Sequence, residues 1–149
     1  MTLEIILFTV LVFTVFYNNG VQAYIHYEAY PLISFVGKPE FANYLKEYER
    51  RLMIPLLLPY GITVLSNLAL IFIRPAALSV IWVIIAFLLN VAVSVVTLRM
   101  ATPVYNRIKE NGVTTEEMAR LMGINLIRLV ISTVSSVVVI IMLYTLLTT

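Results

Sequence analysis

Residues 52–98 read LMIPLLLPYGITVLSNLALIFIRPAALSVIWVIIAFLLNVAVSVVTL. Two apolar runs, Leu52–Ile73 and Ala76–Leu98, are parted only by Arg74 and Pro75. Each run has the ~20 residues that an α-helix needs to cross the ~30 Å hydrocarbon core of a bilayer. So short a separator forces the second run back antiparallel to the first. Pro75 suits the first turn of the returning helix, where its missing N–H has no intrahelical partner to lose. The stretch predicts a tight transmembrane helical hairpin.

Two further runs of the same kind flank it, Leu3–Ile25 and Met122–Leu147. With 61% hydrophobic residues, 12% charged ones and a mean hydropathy of +0.97, the chain is far more apolar than a soluble domain. Four spans and their connections take up nearly all 149 residues. The expectation is one domain over residues 1–149, an all-α integral membrane four-helix bundle. The start, Met1-Thr2-Leu3-Glu4, lacks the basic head and small-residue cleavage site of a signal peptide, so the first run is expected to be retained as a span.

Charge sets the orientation. The connection His26–Arg51 carries Lys38, Lys46, Arg50 and Arg51, and the connection Arg99–Leu121 carries Arg99, Arg107, Lys109 and Arg120. Both lie on one side of the membrane, and the opposite side offers Arg74 alone. The positive-inside bias therefore places both long connections in the cytoplasm and both termini outside, with the protein in the plasma (bacterial inner) membrane. The basic residues form no continuous stripe and the net charge is only +2, which argues against nucleic acid as a partner. With no cysteine, no aspartate and one histidine, the chain lacks the ligands for a metal site and the members of a catalytic triad.

The long connections read as helical. Lys38-Pro39-Glu40 resembles a helix start, and Phe41, Tyr44, Leu45 and Tyr48 recur at helical spacing opposite Glu40, Lys46, Glu47 and Arg50. Helix two is expected to begin before the membrane. Asn111-Gly112 predicts a turn, and Thr114 with Glu117 a capping box that opens helix four early. Helix three is expected to run on through Arg107, kinked near Pro103. Helices two to four thus extend on the cytoplasmic side. Pro55 and Pro59 remove backbone donors near the start of span two, so that stretch is expected to bend and offer free carbonyls.

Polar residues inside the spans fall on faces. Asn18, Gln22 and His26 follow i, i+4, i+8 in span one, with Asn19 beside them. Asn90, Ser94 and Thr97 follow i, i+4, i+7 in span three, and Asn125, Arg128, Ser132 and Ser135 follow i, i+3, i+7, i+10 in span four. Because the spans alternate in direction, all three stripes deepen toward the cytoplasmic half, while the outer half is nearly pure Leu, Ile, Val and Phe. Polar groups facing lipid are unfavourable, so the stripes are expected to turn inward and enclose a polar cavity. Arg128 is the costliest of these residues, at about 2.5–3.5 kcal/mol on insertion scales, and Glu28, Glu47 and Glu49 are its nearest candidate partners. The bland alternative is interhelical glue, worth about 0.6 kcal/mol per hydrogen bond; it suits the serines and Thr97. Glu4 reads as interfacial. Trp82 and the tyrosines at 24, 27, 30, 44, 48 and 60 read as interfacial belt residues.

The run Tyr30-Pro31-Leu32, then Val36-Gly37, Phe41, Tyr44 and Arg51, with Asn125 and Arg128 much later, resembles a family of small bacterial four-span proteins of unknown function. Anthrone-oxygenase-like membrane proteins are its distant relatives. The match covers the first connection and the start of span four, about a third of the chain. It implies that Tyr44, Arg51, Asn125 and Arg128 are retained family positions. The family's histidines would fall on Ala29, Leu45, Tyr48 and Tyr105, so none is kept in register, and His26 lies one turn before Ala29.

Three functional readings follow. The first is a binding or accessory protein that holds a small amphipathic ligand, such as a quinone, lipid headgroup or pigment, in the cytoplasmic half. Asn18, Gln22, His26, Asn90, Asn125, Arg128, Tyr44 and Arg51 are the candidate ligand-binding residues. The second, implied by the resemblance, is a cofactor-poor oxygenase or related oxidoreductase acting on an aromatic substrate, with His26 or a tyrosine as base. The third is a small transporter, which would ordinarily carry a mid-membrane acidic residue that this chain lacks. The expected partners are the bilayer and the amphipathic ligand, with homo-oligomerisation left open. Neither a particular cofactor nor a reaction can be read from the residues.

Overall fold

A computed structural model describes residues 2–33 and 35–148, with the side chains of all of these but Lys38, Pro39 and Ala42. All regular structure among them is helical: α1 (Leu3–Tyr24), α2 (Tyr30–Ile33), α3 (Lys38–Phe72), α4 (Val80–Val96), α5 (Thr102–Asn111) and α6 (Thr115–Thr148). A π-helical turn, Ile25–Ala29, joins α1 to α2, and a second, Thr97–Ala101, joins α4 to α5. The chain therefore forms four rods, of which α3 and α6 are the second and fourth. Each rod packs on the one before and the one after, and α6 closes the ring on α1. The four hold stretches of 31, 30, 32 and 34 residues that are long and apolar enough to cross a membrane. At 1.5 Å per residue they reach at least roughly 45 Å, well beyond a ~30 Å hydrocarbon core.

The ends of these rods follow local chemistry. Thr114 caps α6 by accepting the Glu117 N–H on its hydroxyl at 3.1 Å. The expected capping box is only half made, because the Glu117 carboxylate turns instead to Arg107 at 3.0 Å. Gly112 ends α5 with φ +81, a left-handed conformation that favours glycine. Pro75 does not open the third rod as expected. A turn closed by the Leu78 N–H on the Pro75 carbonyl at 2.9 Å comes first. Ser79 is then the cap, accepting from the Ile81 N–H at 3.3 Å. Arg74 folds back over this turn and donates to the Ile71 and Leu78 carbonyls at 3.2 and 3.1 Å, which serves one acceptor left open at the end of α3 and one in the turn itself.

Two other expectations change. The first helix does not stop at Ile25 but continues to Ile33, so all four rods run on at the end where the long connections lie. The irregularity in the third rod is the π turn just ahead of Pro103 rather than a simple proline kink. Helix α3 passes unbroken through Pro55 and Pro59, and the Pro59 carbonyl accepts the Thr63 hydroxyl at 2.9 Å.

The interior is layered. One apolar cluster, including Phe8, Leu11, Leu70, Val83, Val139 and Met142, fills the end that holds the termini. A second, including Ile25, Ile33, Leu45, Val104, Ile108 and Leu121, fills the end that holds the connections. The buried polar residues come mainly from the middle of the rods: Asn18 and Gln22, Thr63, Ser66 and Asn67, Asn90, Asn125, Arg128 and the serines at 132, 135 and 136.

Candidate functional site

The polar faces read from the sequence do turn inward. Arg128 is 5% exposed and is the only charged side chain that is fully buried among the described residues. Its Nε and Nη2 both donate to the Gln22 side-chain oxygen, at 3.2 and 2.7 Å. The Gln22 backbone carbonyl accepts from Asn125 at 3.2 Å, so one residue of α1 holds two of α6. Further along, Asn18 donates to Thr63 at 2.8 Å, and Ser132 donates to Asn19 at 2.9 Å. The Tyr60 hydroxyl donates to the Asn90 carbonyl and lies against Ser94, which ties α3 to α4.

The carboxylates expected to meet Arg128 are engaged elsewhere or unconnected to it. Glu47 pairs with Arg50 and Arg51, each at 2.7 Å, and Glu49 pairs with Lys109 at 2.8 Å. No ion pair joins Glu28 to Arg128 among the described residues. The guanidinium, with five N–H donors, is therefore answered by neutral groups, the Gln22 amide and the Tyr30 hydroxyl. A buried charge without a counter-charge is costly in a low-dielectric interior, and a hydrogen bond offsets only part of that cost.

Arg128 forms the floor of a cavity of about 360 Å³. Tyr30, Tyr48 and Tyr105 wall it together with Thr97 and Asn106, and the half-exposed Glu49–Lys109 pair stands toward the rim. Tyr30 is 3% exposed, not the interfacial belt residue expected of it, and it lies beside both Arg128 and the Tyr105 ring. Both π turns pack on α6 and line the cavity, through Ile25 from one and Thr97 and Ala101 from the other. A π turn carries one residue more than an α turn, which displaces the backbone outward where it occurs. The remaining wall is the apolar edge of α3, from Leu52 to Leu57.

The predicted site residues divide into three groups, with His26 standing apart from all of them. Gln22, Asn125 and Arg128 form one bonded cluster at the cavity floor. Asn18 and Asn90 serve interhelical and intrahelical bonds; the Asn90 side chain donates to its own helix at Ala86. Tyr44 and Arg51 lie outside the cleft, in an adjoining surface groove of about 420 Å³ with Tyr24 and Glu47, which shares Tyr48 and Leu52 with it. His26 lines none of these cavities; its ring meets Tyr27 edge-on at 4.9 Å, and its Nδ1 is buried without a hydrogen-bond partner.

Sequence reasoning missed Tyr105 and the Glu49–Lys109 pair, because Lys109 served there only as a topology signal. It also missed the polar face of span two, Thr63, Ser66 and Asn67, although their i, i+3, i+4 spacing is the signal used for the other spans. Asn67 is 0% exposed, and neither its side-chain nitrogen nor its oxygen has a hydrogen-bond partner. The half of the bundle nearer the termini is therefore less purely apolar than expected.

Fold and site together define a class: a bundle of four membrane-length helices with a buried cation at the floor of a tyrosine-walled cleft. No protein-family model, curated protein or solved structure matches the chain.

Proposed function

We propose that this protein is a membrane-embedded binding protein that holds a small amphipathic ligand with its polar head against Arg128. One observation carries the reading: a fully buried guanidinium, met only by neutral groups, at the floor of a cleft of about 360 Å³. Cavities of this size, apolar with a few convergent polar groups, are the usual form of small-molecule sites. Tyrosines give flat apolar walls with hydroxyl groups to orient a head. The cleft belongs to the cytoplasmic half in this proposal, because the positive-inside bias puts the connections in the cytoplasm and the termini outside. Kinship with the small bacterial four-span family is part of the same proposal and rests on Asn125 and Arg128 more than on Tyr44 and Arg51, which lie outside the cleft.

The test is gentle purification followed by native mass spectrometry and absorbance spectroscopy. The expected result is an amphiphile retained by the natural protein and by Tyr44→Phe and lost from Arg128→Gln. Retention that is indifferent to Arg128→Gln, or no retained amphiphile from any preparation, would reject the reading.

A further inference from the structure

The cleft has an edge on the outer surface of the bundle. Met53 and Leu57, 56% and 58% exposed, line the same cavity as Arg128, which is 5% exposed. The cavity thus runs without a break from the apolar flank of α3 to the buried charge. In a bilayer that flank faces acyl chains, so the cleft opens sideways into lipid. Toward the connections, a second cavity of about 680 Å³ is lined by Phe41, Lys46 and the turn around Gly112. It shares Glu49 and Lys109 with the Arg128 cleft. The bonded pair at 2.8 Å therefore stands between the two.

The charges lining the Arg128 cleft are few. Arg128 and Lys109 are cationic, Glu49 is anionic, and every other lining residue is neutral, the phenols included. The site holds one net positive charge. In a low-dielectric cleft the favoured occupant brings that charge to zero, because any remainder must be buried without compensation.

We infer that the ligand is an amphiphile with a single negative charge on its head, admitted sideways from the bilayer between α3 and the third rod, with Lys109 as a second cationic contact beside Arg128. The inference rests on the binding function proposed above and narrows its ligand. A carboxylate or a phosphodiester head fits. A neutral head leaves Arg128 uncompensated, and a dianionic head leaves a surplus negative charge. The ligand's chain needs no pocket of its own, since beyond Leu57 it lies in the bilayer.

The test reconstitutes the protein in phosphatidylcholine nanodiscs doped, in parallel, with oleate, phosphatidylglycerol, dodecyl phosphate at pH 8 or a long-chain quinone. Retained amphiphile is counted by native mass spectrometry. Oleate or phosphatidylglycerol is expected to be retained over the other two, and which of them wins tells a free acid from a phosphodiester lipid. Lys109→Gln, at a half-exposed position and with an unchanged unfolding midpoint as its control, should weaken retention of the monoanion by roughly tenfold, the scale of one charge-assisted hydrogen bond. Glu49→Gln adds a net positive charge and should shift preference toward dodecyl phosphate. Leu57→Trp should slow loading by narrowing the side entrance. Arg128-dependent retention of the quinone at or above the monoanions would overturn the charge inference and leave the binding function standing. Preference unmoved by both Lys109→Gln and Glu49→Gln would overturn it equally. If no probe depends on Arg128, both the inference and the binding function fail.

Discussion

Gln22 is the residue on which the site turns, because its side-chain oxygen takes both bonds that Arg128 makes to it. Gln22→Leu removes that acceptor and leaves a guanidinium buried with less to satisfy it. The expected cost is about 2–3 kcal/mol, seen as a lower thermal unfolding midpoint in detergent. Gln22→Glu does the opposite by supplying the missing counter-charge from within. This variant should unfold at a temperature no lower than the natural protein while losing retention of the amphiphile, because the cleft no longer needs an external anion. Such a split between stability and binding distinguishes a functional arginine from structural glue, for which Gln22→Glu has nothing to lose. The facing of Gln22 and Arg128 was legible in the sequence, since both lie on polar stripes of regular helical period. Their pairing was not: the nearest carboxylates looked like the better partners, and each of the two that pair in the fold is claimed by a basic residue on its own helix or across the cleft.

At the scale of the element, the two π turns shape the site. Both sit where α6 presents Arg128, and both contribute lining residues. Hydropathy cannot reveal a π turn, because one extra residue in an apolar run leaves the run apolar. The same extra residue suggests a test. Leu98 lies in the second π turn and is 69% exposed. Deleting it should let the segment wind as ordinary α-helix with the faces of α4 and α5 kept in register. The unfolding midpoint is expected to move by no more than about 4 °C, equivalent to about 1 kcal/mol in a chain of this size. Retention of the amphiphile should fall, as the wall formed by Thr97 and Ala101 closes toward Arg128. A large loss of stability with unchanged retention would mean that the turn serves packing alone. Some ends of the rods were legible. The Gly112 turn and the Thr114 cap were both readable, because a cap or turn depends on residues within a few positions of one another.

At the scale of the whole molecule, orientation is the property that charge distribution predicts. The chain has no cysteine, so single-cysteine variants report cleanly. Ala76→Cys, in the hairpin between the second and third rods, should react with a membrane-impermeant maleimide on intact cells. Asn111→Cys, at the end of α5, should react only after the cells are opened. The reverse pattern would place Arg128 and its cleft in the outer half and would move the ligand's source with it. The layered interior, apolar at both ends and polar between, follows from the antiparallel order of the rods. Stripes that lie toward one end of each span arrive at neighbouring depths when alternate spans run in opposite directions.

The four rods, the short hairpin and the inward turn of the polar faces can all be read from the order of residues alone. Each follows from a local quantity: the length of an apolar run against the thickness of a bilayer, or the cost of a polar group facing lipid. What Arg128 meets, the burial of Tyr30, and the place of Glu49 and Lys109 at the rim of the cleft depend on how the rods pack. Gln22 and Arg128 stand 106 positions apart, and their contact depends on how two rods are rotated and shifted against each other. That rotation and shift are set by the fit of side chains across the whole interface, which no single stretch of sequence contains.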